Sequence, residues 1–202
     1  NSVIMDDEMM DHVRPDILVF ADPIFHFGCS SYAAEFRKKL VESQKKYGYT
    51  VVIPIKYYPL YCNALPELIE VTCALPSAGD STAPINLDLN SKFLLRPTPN
   101  ILTYLMLPIA STFADEVYIM GCDGRPLADD QYFWGHNEKT QISSKMVEIK
   151  EAHPSFFEID YNEYYLKHCH TLEEYLAAGE KQGKKYFSKT FSYIPALVSR
   201  SI

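Results

Sequence analysis

The sequence lacks any apolar run of the roughly 20 residues that a membrane-spanning helix needs, and it has no signal-peptide pattern. It also lacks a basic excess, because 19 Lys and Arg residues stand against 26 Asp and Glu residues and give a net charge of −7. An overall acidic field attracts neither nucleic acid nor an anionic membrane, although a local basic group can still hold a phosphate. We therefore expect no nucleic-acid partner.

Paired cysteine motifs are absent as well. The five cysteines are odd in number and form no CxxC pair, which argues against a disulfide framework and against a structural zinc site. His168 and His170 flank Cys169, but no third ligand follows nearby. We therefore expect no metal and no other cofactor, and we expect a reducing compartment, the cytoplasm.

Several signatures of common enzyme classes are missing too. The sequence has no P-loop, no GxSxG elbow, no HExxH helix and no GxGxxG dinucleotide motif. What remains is a chain of 202 residues, 47% hydrophobic and 22% charged, which suits one globular domain. We predict a single domain over residues 1–202 with a loop excursion over residues 77–95. Because the chain begins at Asn1 in what resembles the tail of a strand, we also expect it to be a fragment.

Strand and helix patterns alternate in the first part of the chain. Residues 17–21 form an apolar run typical of a buried strand, and Ser30 is a suitable N-cap for an amphipathic helix over residues 32–46. The β-branched residues of 50–55 predict a second strand. This strand-helix-strand unit predicts parallel strands.

The second part continues the alternation. Asn100 is expected to cap an apolar helix over residues 101–113, in which Pro108 marks a kink or a break. A strand over residues 117–120 follows, and its apolar run predicts a central position with both faces covered. Beyond it the pattern indicates the following segments: a helix over 139–152, a strand or aromatic-rich segment over 156–160, a helix over 172–181 capped by Thr171, and an extended arm with a final turn over 188–197.

The loop after the 117–120 strand is the candidate active site. Gly121 and Gly124 permit the sharp turns that would present Asp123 and Arg125 to a crevice at the carboxyl end of the strand. In open α/β sheets this is the usual position of a ligand.

Farther along the same loop, three aromatic residues precede a histidine. Trp134 is the only tryptophan of the chain, and it follows Tyr132 and Phe133 and precedes Gly135 and His136. A histidine in surroundings that exclude water is suited to general-base catalysis. One loop histidine is more often solvated than catalytic, and it is the whole cluster that favours a site.

The order of these pieces resembles the bacterial sialyltransferases of the Campylobacter lipooligosaccharide type. The resemblance covers about residues 1–140 and is carried by residues 102–110, by the strand with its Gly-Cys-Asp end at 116–123, and by the aromatic-Gly-His loop at 134–140. It implies an α/β Rossmann-like fold, a GT-A variant with a three-layer parallel sheet and flanking helices, here without its first strand. It also implies a CMP-activated donor, no metal, and inversion at the sugar carbon.

The resemblance assigns roles residue by residue. His136 matches the base that removes the proton from the acceptor hydroxyl. The family's two phosphate-binding tyrosines have no counterpart, since Gly124, Arg125 and Pro126 stand there. Arg125 can take their place, because a guanidinium pairs with phosphate oxygens in a bidentate way. The expected donor-binding residues are Asn1, Asp22, Asn100, Asp123, Gly124, Tyr132, Phe133 and Trp134.

The resulting expectation is a metal-independent, inverting glycosyltransferase that moves a sialic-acid-like or Kdo-like sugar from CMP to a glycan or glycolipid acceptor. Such an enzyme would serve bacterial lipopolysaccharide or capsule synthesis in the cytoplasm, with its acceptor drawing it to the inner membrane. Two alternatives stay open. One is a nucleotide-dependent transferase of the flagellin-modifying or pterin-pyrophosphokinase type, and the other is a non-catalytic sugar-nucleotide-binding module.

Overall fold

A computed structural model describes residues 2–126 and 146–202, without the side chains at positions 146, 149, 156 and 157. The chain is a mixed α/β protein, with two small parallel sheets among its described residues. It divides into two compact units, an N-terminal unit of residues 1–76 and 136–158 and a C-terminal unit of residues 77–135 and 159–202. The predicted single domain stays a prediction.

Helices and strands alternate along the N-terminal unit. Its elements are α1 (Asp7–Val13), β1 (Ile17–Val19), α2 (Pro23–Phe27), α3 (Ser31–Tyr47), β2 (Thr50–Pro54), α4 (Tyr58–Ala64), β3 (Thr72–Leu75) and a later helix, Met146–Ala152. Short 3₁₀ helices cover Ser2–Met5, Ile55–Tyr57, Pro66–Val71 and Pro154–Glu158.

The three strands form a parallel sheet in the order β1-β2-β3, which confirms the predicted strand-helix-strand unit. α3 begins where the sequence indicates, because the Ser30 hydroxyl accepts a hydrogen bond from the backbone N–H of Ala33. It ends at Gly48, whose φ of 74° is the left-handed conformation that favours glycine.

Aromatic rings fill the core of this unit. Phe20, directly after β1, is fully buried, and its ring lies 5.0 Å from that of His26 and 5.6 Å from that of Phe36. Tyr61 and Phe27 approach the same ring. Such edge and tilted contacts stabilise a core beyond the area that they bury.

The C-terminal unit contains a π-helix, Leu102–Met106, followed by α5 (Leu107–Phe113) and β4 (Glu116–Ile119). Numbering the helix Met146–Ala152 as α6, this unit continues with α7 (Tyr161–Lys181), β5 (Lys185–Ser188) and α8 (Pro195–Val198). β4 and β5 pair in parallel, with Glu116 opposite Lys185 and Ile119 opposite Ser188. The hydrogen-bond pattern changes from π to α at Leu107, next to Pro108, where the sequence predicts a break.

α7 supplies the centre of the core of this unit. Its buried positions recur every three or four residues and pack with residues of β4, β5 and α8. They are Tyr165, His168, Leu172, Tyr175, Leu176 and Gly179.

Three local predictions are wrong. β4 is not covered on both faces, because Tyr118 is 51% exposed and only alternate residues are buried. Thr171 lies inside a helix and does not cap it. One continuous helix is capped by Asp160, eleven residues earlier, whose carboxylate accepts the N–H groups of Asn162 and Glu163. The segment Pro154–Glu158 is a 3₁₀ helix rather than a strand. The predicted arm with a final turn agrees with the structure, since residues 189–194 belong to no helix or strand and the short helix α8 follows; only Ser188 differs, as the last residue of β5.

The predicted 139–152 helix is present from Met146 to Ala152, and its earlier residues lie outside the described part. Within residues 2–126 and 146–202, none of the helices combines the length and the apolar character that crossing a bilayer requires.

The two buried histidines predict a loss of stability in acid. Burial lowers the pKa of His26 to about 3 and that of His168 to about 4. Between pH 6.5 and pH 4 the unfolded chain takes up protons that the folded chain does not, so stability present above pH 6.5 is lost as the pH falls. Each histidine lowers the free energy of unfolding at pH 5 by about 2 kcal/mol relative to its value at pH 7.5.

Urea unfolding at both pH values checks this. We expect His168→Leu to reduce the loss of stability between pH 7.5 and pH 5, whereas the same change at the exposed His12 should leave it as it is. Equal acid sensitivity of His168→Leu and the unchanged protein would contradict the prediction.

Candidate functional site

The candidate site lies at the carboxyl edge of the β4–β5 sheet, and the pairing of these strands continues past their ends. The N–H of Lys189 donates to the carbonyl of Ile119 at 3.0 Å, and the N–H of Gly121 donates to the Thr190 hydroxyl at 3.0 Å. The N–H of Tyr193 then donates to the carbonyl of Asp123 at 2.6 Å. Residues 189–194 therefore hold the turn after β4 in place.

Gly124 makes the turn possible. Its φ is 65°, and a Cβ at this position would lie 2.6 Å from the Tyr165 hydroxyl and 2.7 Å from Cγ1 of Ile194. Glycine is therefore required here for its conformation and for the close approach of two side chains. This approach allows the Tyr165 hydroxyl to accept a hydrogen bond from the backbone N–H of Arg125 at 3.1 Å.

The side chain of Arg125 is buried, with 3% of its surface exposed. One nitrogen, Nη2, donates to the amide oxygen of Asn162, and the guanidinium carbon lies 5.1 Å from the centre of the Tyr165 ring. Nε and Nη1 have no hydrogen-bond partner among the described residues. Since Nε carries one N–H and Nη1 carries two, three of the five donors of this group are unpaired.

The described thiol and phenol groups nearest Arg125 carry no negative charge. Burial raises the pKa of the Cys122 thiol to about 11, with a smaller contribution from Asp123, and burial also raises the pKa of Cys169. The pKa of Tyr165 is raised by burial as well. At neutral pH these groups are uncharged, and no described carboxylate forms an ion pair with Arg125. Neither thiol is a reactive nucleophile, because only the thiolate attacks.

An unpaired guanidinium is costly to bury, since a desolvated charge needs a partner. An anion that supplies two or three oxygen acceptors, such as a phosphate or a carboxylate, would satisfy the free N–H groups. The site is therefore suited to an anionic ligand. Within the described residues, no group of three or more His, Cys, Asp or Glu side chains is placed to hold a metal ion.

The structure places four predicted site residues in the C-terminal unit. Asp123, Gly124 and Arg125 form the turn described above, and the Asp123 residue is exposed. Asn100 accepts a hydrogen bond from the N–H of Leu102 at 2.9 Å through its side-chain oxygen and so begins the π-helix. Asn100 has a capping role in this structure, and its role in donor binding stays a prediction.

Asp22 belongs to the N-terminal unit. Its carboxylate accepts the N–H groups of Ile24 and Phe25, both at 2.9 Å, and caps α2. Capping is a sufficient structural reason for an acid at this position. The remaining predicted residues lie outside the described part of the chain: Asn1, Tyr132, Phe133, Trp134 and His136.

Sequence reasoning missed the partners that the C-terminal segments bring to the site. Asn162 and Tyr165 contact Arg125 from the first turns of α7, and Ser192 donates to the carbonyl of Cys122 at 2.6 Å. Asn162 and Tyr165 lie three residues apart on one face of α7, but the sequence predicted this helix only from residue 172 and so did not indicate that face. Nothing in the sequence joined that face to Arg125, 37 residues earlier.

No protein-family model, no curated protein and no solved structure matches the chain.

Two glycines of the turn offer a matched test of the site geometry. Gly121 and Gly124 both have a left-handed backbone, with φ of 69° and 65°, but only Gly124 has side chains within 4 Å of the missing Cβ. We expect Gly121→Ala to cost about 1 kcal/mol of unfolding free energy from backbone strain alone. Gly124→Ala should cost roughly 2–4 kcal/mol, because overpacking against Tyr165 adds to that strain.

Chemical denaturation of the two variants measures the difference. Equal costs for the two variants would show that Tyr165 and Ile194 do not approach Gly124 as closely as the structure has them.

Proposed function

We propose that the protein is a sialyltransferase-like glycosyltransferase that moves a sialic-acid-like or Kdo-like sugar from a CMP donor to a hydroxyl of a glycan or glycolipid. The reaction is metal-independent and inverting, with His136 as general base and Arg125 at the donor phosphate. The proposal builds on the resemblance at residues 102–140 and includes the Rossmann-like fold of that family.

One observation carries the proposal furthest, the buried guanidinium of Arg125 with three unpaired N–H groups at the carboxyl end of a parallel strand. The leaving group of a CMP-sugar is a monophosphate, which gains negative charge as the bond to the sugar breaks. Donors that are already fixed in place stabilise such a charge without reorganising. Asn162 and the Tyr165 ring fix Arg125 in this way.

The chemistry needs a second group on the acceptor side. As the acceptor hydroxyl attacks, a base must remove its proton, and a positioned histidine typically accelerates this step by about 10²–10⁴-fold. His136 has that role in the proposal. A monophosphate carries less charge than a diphosphate, so one arginine can replace the metal that many nucleotide-diphosphate transferases use.

The setting follows from the substrates. The donor and the glycan or glycolipid acceptor place the enzyme in the bacterial cytoplasm, with peripheral membrane association through the acceptor, in lipopolysaccharide or capsule synthesis. The two parallel sheets with their helices support an α/β fold of the Rossmann-like kind.

Replacing Arg125 separates a binding role from a structural one. Because its charge is buried and no carboxylate within residues 2–126 and 146–202 pairs with it, we expect Arg125→Met to keep or raise the free energy of unfolding, by up to about 2 kcal/mol. The same variant should lose the rise in melting temperature that CMP gives the unchanged protein, which corresponds to about 2.7 kcal/mol at 100 times the dissociation constant. Thermal unfolding with CMP, CDP, UDP, GDP and ATP, with and without magnesium, measures the stability of each protein and its response to each nucleotide.

Arg200 is the matched control, because it lies in the same unit, is largely buried, and pairs with Glu173 and Glu180. Arg200→Met should lose about 2 kcal/mol of stability and keep the response to CMP. Failure of CMP to stabilise the unchanged protein would overturn the proposal. A response only to ATP with magnesium would favour a transferase of the pterin-pyrophosphokinase type.

The general base is tested by His136→Ala. We expect this variant to keep the melting shift with CMP and to lose roughly 10²–10⁴-fold in turnover of a CMP-sugar at saturating donor. His170→Ala, at an exposed histidine, should turn over normally. Binding of CMP with no turnover by the unchanged protein, across CMP-sugars and acceptors, would favour the non-catalytic binding module.

A further inference from the structure

Two exposed aromatic residues stand beside the anion site, on the segment that pairs with the turn after β4. Phe191 is 71% exposed and Tyr193 is 48% exposed. Their ring centroids are 4.8 Å apart and the ring planes are nearly perpendicular, at 89°. Single exposed aromatics are common, but two in contact at the ligand edge of a parallel sheet need a reason.

We infer that Phe191 and Tyr193 form a stacking site for the base of the nucleotide whose phosphate Arg125 binds. This inference rests on the proposed nucleotide binding at Arg125. Aromatic rings bind bases through their faces, and such stacking is largely indifferent to which base is present.

Backbone hydrogen bonding joins the segment that carries the two rings to the turn that contains Arg125. The N–H of Tyr193 donates to the carbonyl of Asp123, two residues before Arg125. Ile194, the next residue, would contact a Cβ at Gly124. The ring pair and the buried guanidinium are thus held by the same turn.

The distribution of charge sets the direction of the ligand. The positive charge of Arg125 is buried inside the unit, whereas Asp123 is exposed and is joined through its backbone carbonyl to Tyr193. A phosphate is attracted inward by Arg125 and repelled by Asp123. The Asp123 carboxylate can instead accept hydrogen bonds from ribose hydroxyls or from an amino group of the base. The base then lies outward, where the rings are.

The test compares two ligands that share a phosphate but differ in the base, CMP and ribose 5-phosphate. Isothermal titration calorimetry gives their dissociation constants for the unchanged protein, for the double variant Phe191→Ala with Tyr193→Ala, and for Phe113→Ala. Phe113 is the matched control, because it is 74% exposed and lies at the end of α5. The single variants Phe191→Leu and Tyr193→Leu keep apolar bulk at each position and guard against unfolding of the double variant.

We expect the double variant to bind CMP roughly 5- to 100-fold more weakly and to bind ribose 5-phosphate within about twofold of the unchanged protein. The two leucine variants should show smaller losses for CMP alone, and Phe113→Ala should show none. Unchanged CMP binding by the double variant, or an equal loss for both ligands, would overturn the inference.

Failure of the stacking-site inference can be distinguished from failure of the proposed function. If CMP binds and needs Arg125 but does not need the rings, only the stacking site is wrong. If the unchanged protein does not bind CMP, or if Arg125→Met binds it equally well, the proposed function fails and the stacking site with it.

Discussion

Parallel pairing between β4 and β5 is the constraint on which the candidate site depends. Parallel strands bring their carboxyl ends to one edge, and here the pairing runs on until Tyr193 meets Asp123. That extension holds the turn in which Gly124 adopts a left-handed conformation. Arg125 follows directly, and its side chain is buried in the unit. Removing the pairing would leave neither the buried charge nor the ring pair in place.

A buried positive charge with unpaired donors is an unfavourable feature for a structure that only has to fold. The same unit shows the favourable alternative at Arg200, which is bound by two glutamates and joins the C-terminal helix region to α7. The contrast between the two arginines, one satisfied and one not, is why Arg125 is better explained by a ligand than by packing. Among the described side chains that bury an unpaired polar atom, Arg125 is the one that carries a full charge, and such a feature is typical of functional sites.

Much of the local structure could be predicted from the sequence, because its causes are local. Ser30 begins α3, the β-branched run of 50–54 forms β2, and Pro108 marks the change of helix type, each through side chains a few residues away. The errors have long-range causes. β5 was missed because Lys185–Ser188 is short and becomes a strand only by pairing with β4. Thr171 was mistaken for a cap because the sequence of the ten residues before it did not indicate a helix. The position of Arg125 was predicted at the strand end, but its partners at 162 and 165 were not, since no periodicity connects a loop to a distant helix face.

The separation in sequence between β4 and its partner also has a consequence for how the protein is made. Residues 116–125 leave the ribosome well before β5, and non-local pairing of this kind forms late because the loop between the strands must first be closed. Until synthesis has passed Tyr193, Arg125 has no fixed surroundings. A chain that stopped before Tyr193 would therefore lack the hydrogen bond that holds the turn around Arg125, and with it the proposed anion site.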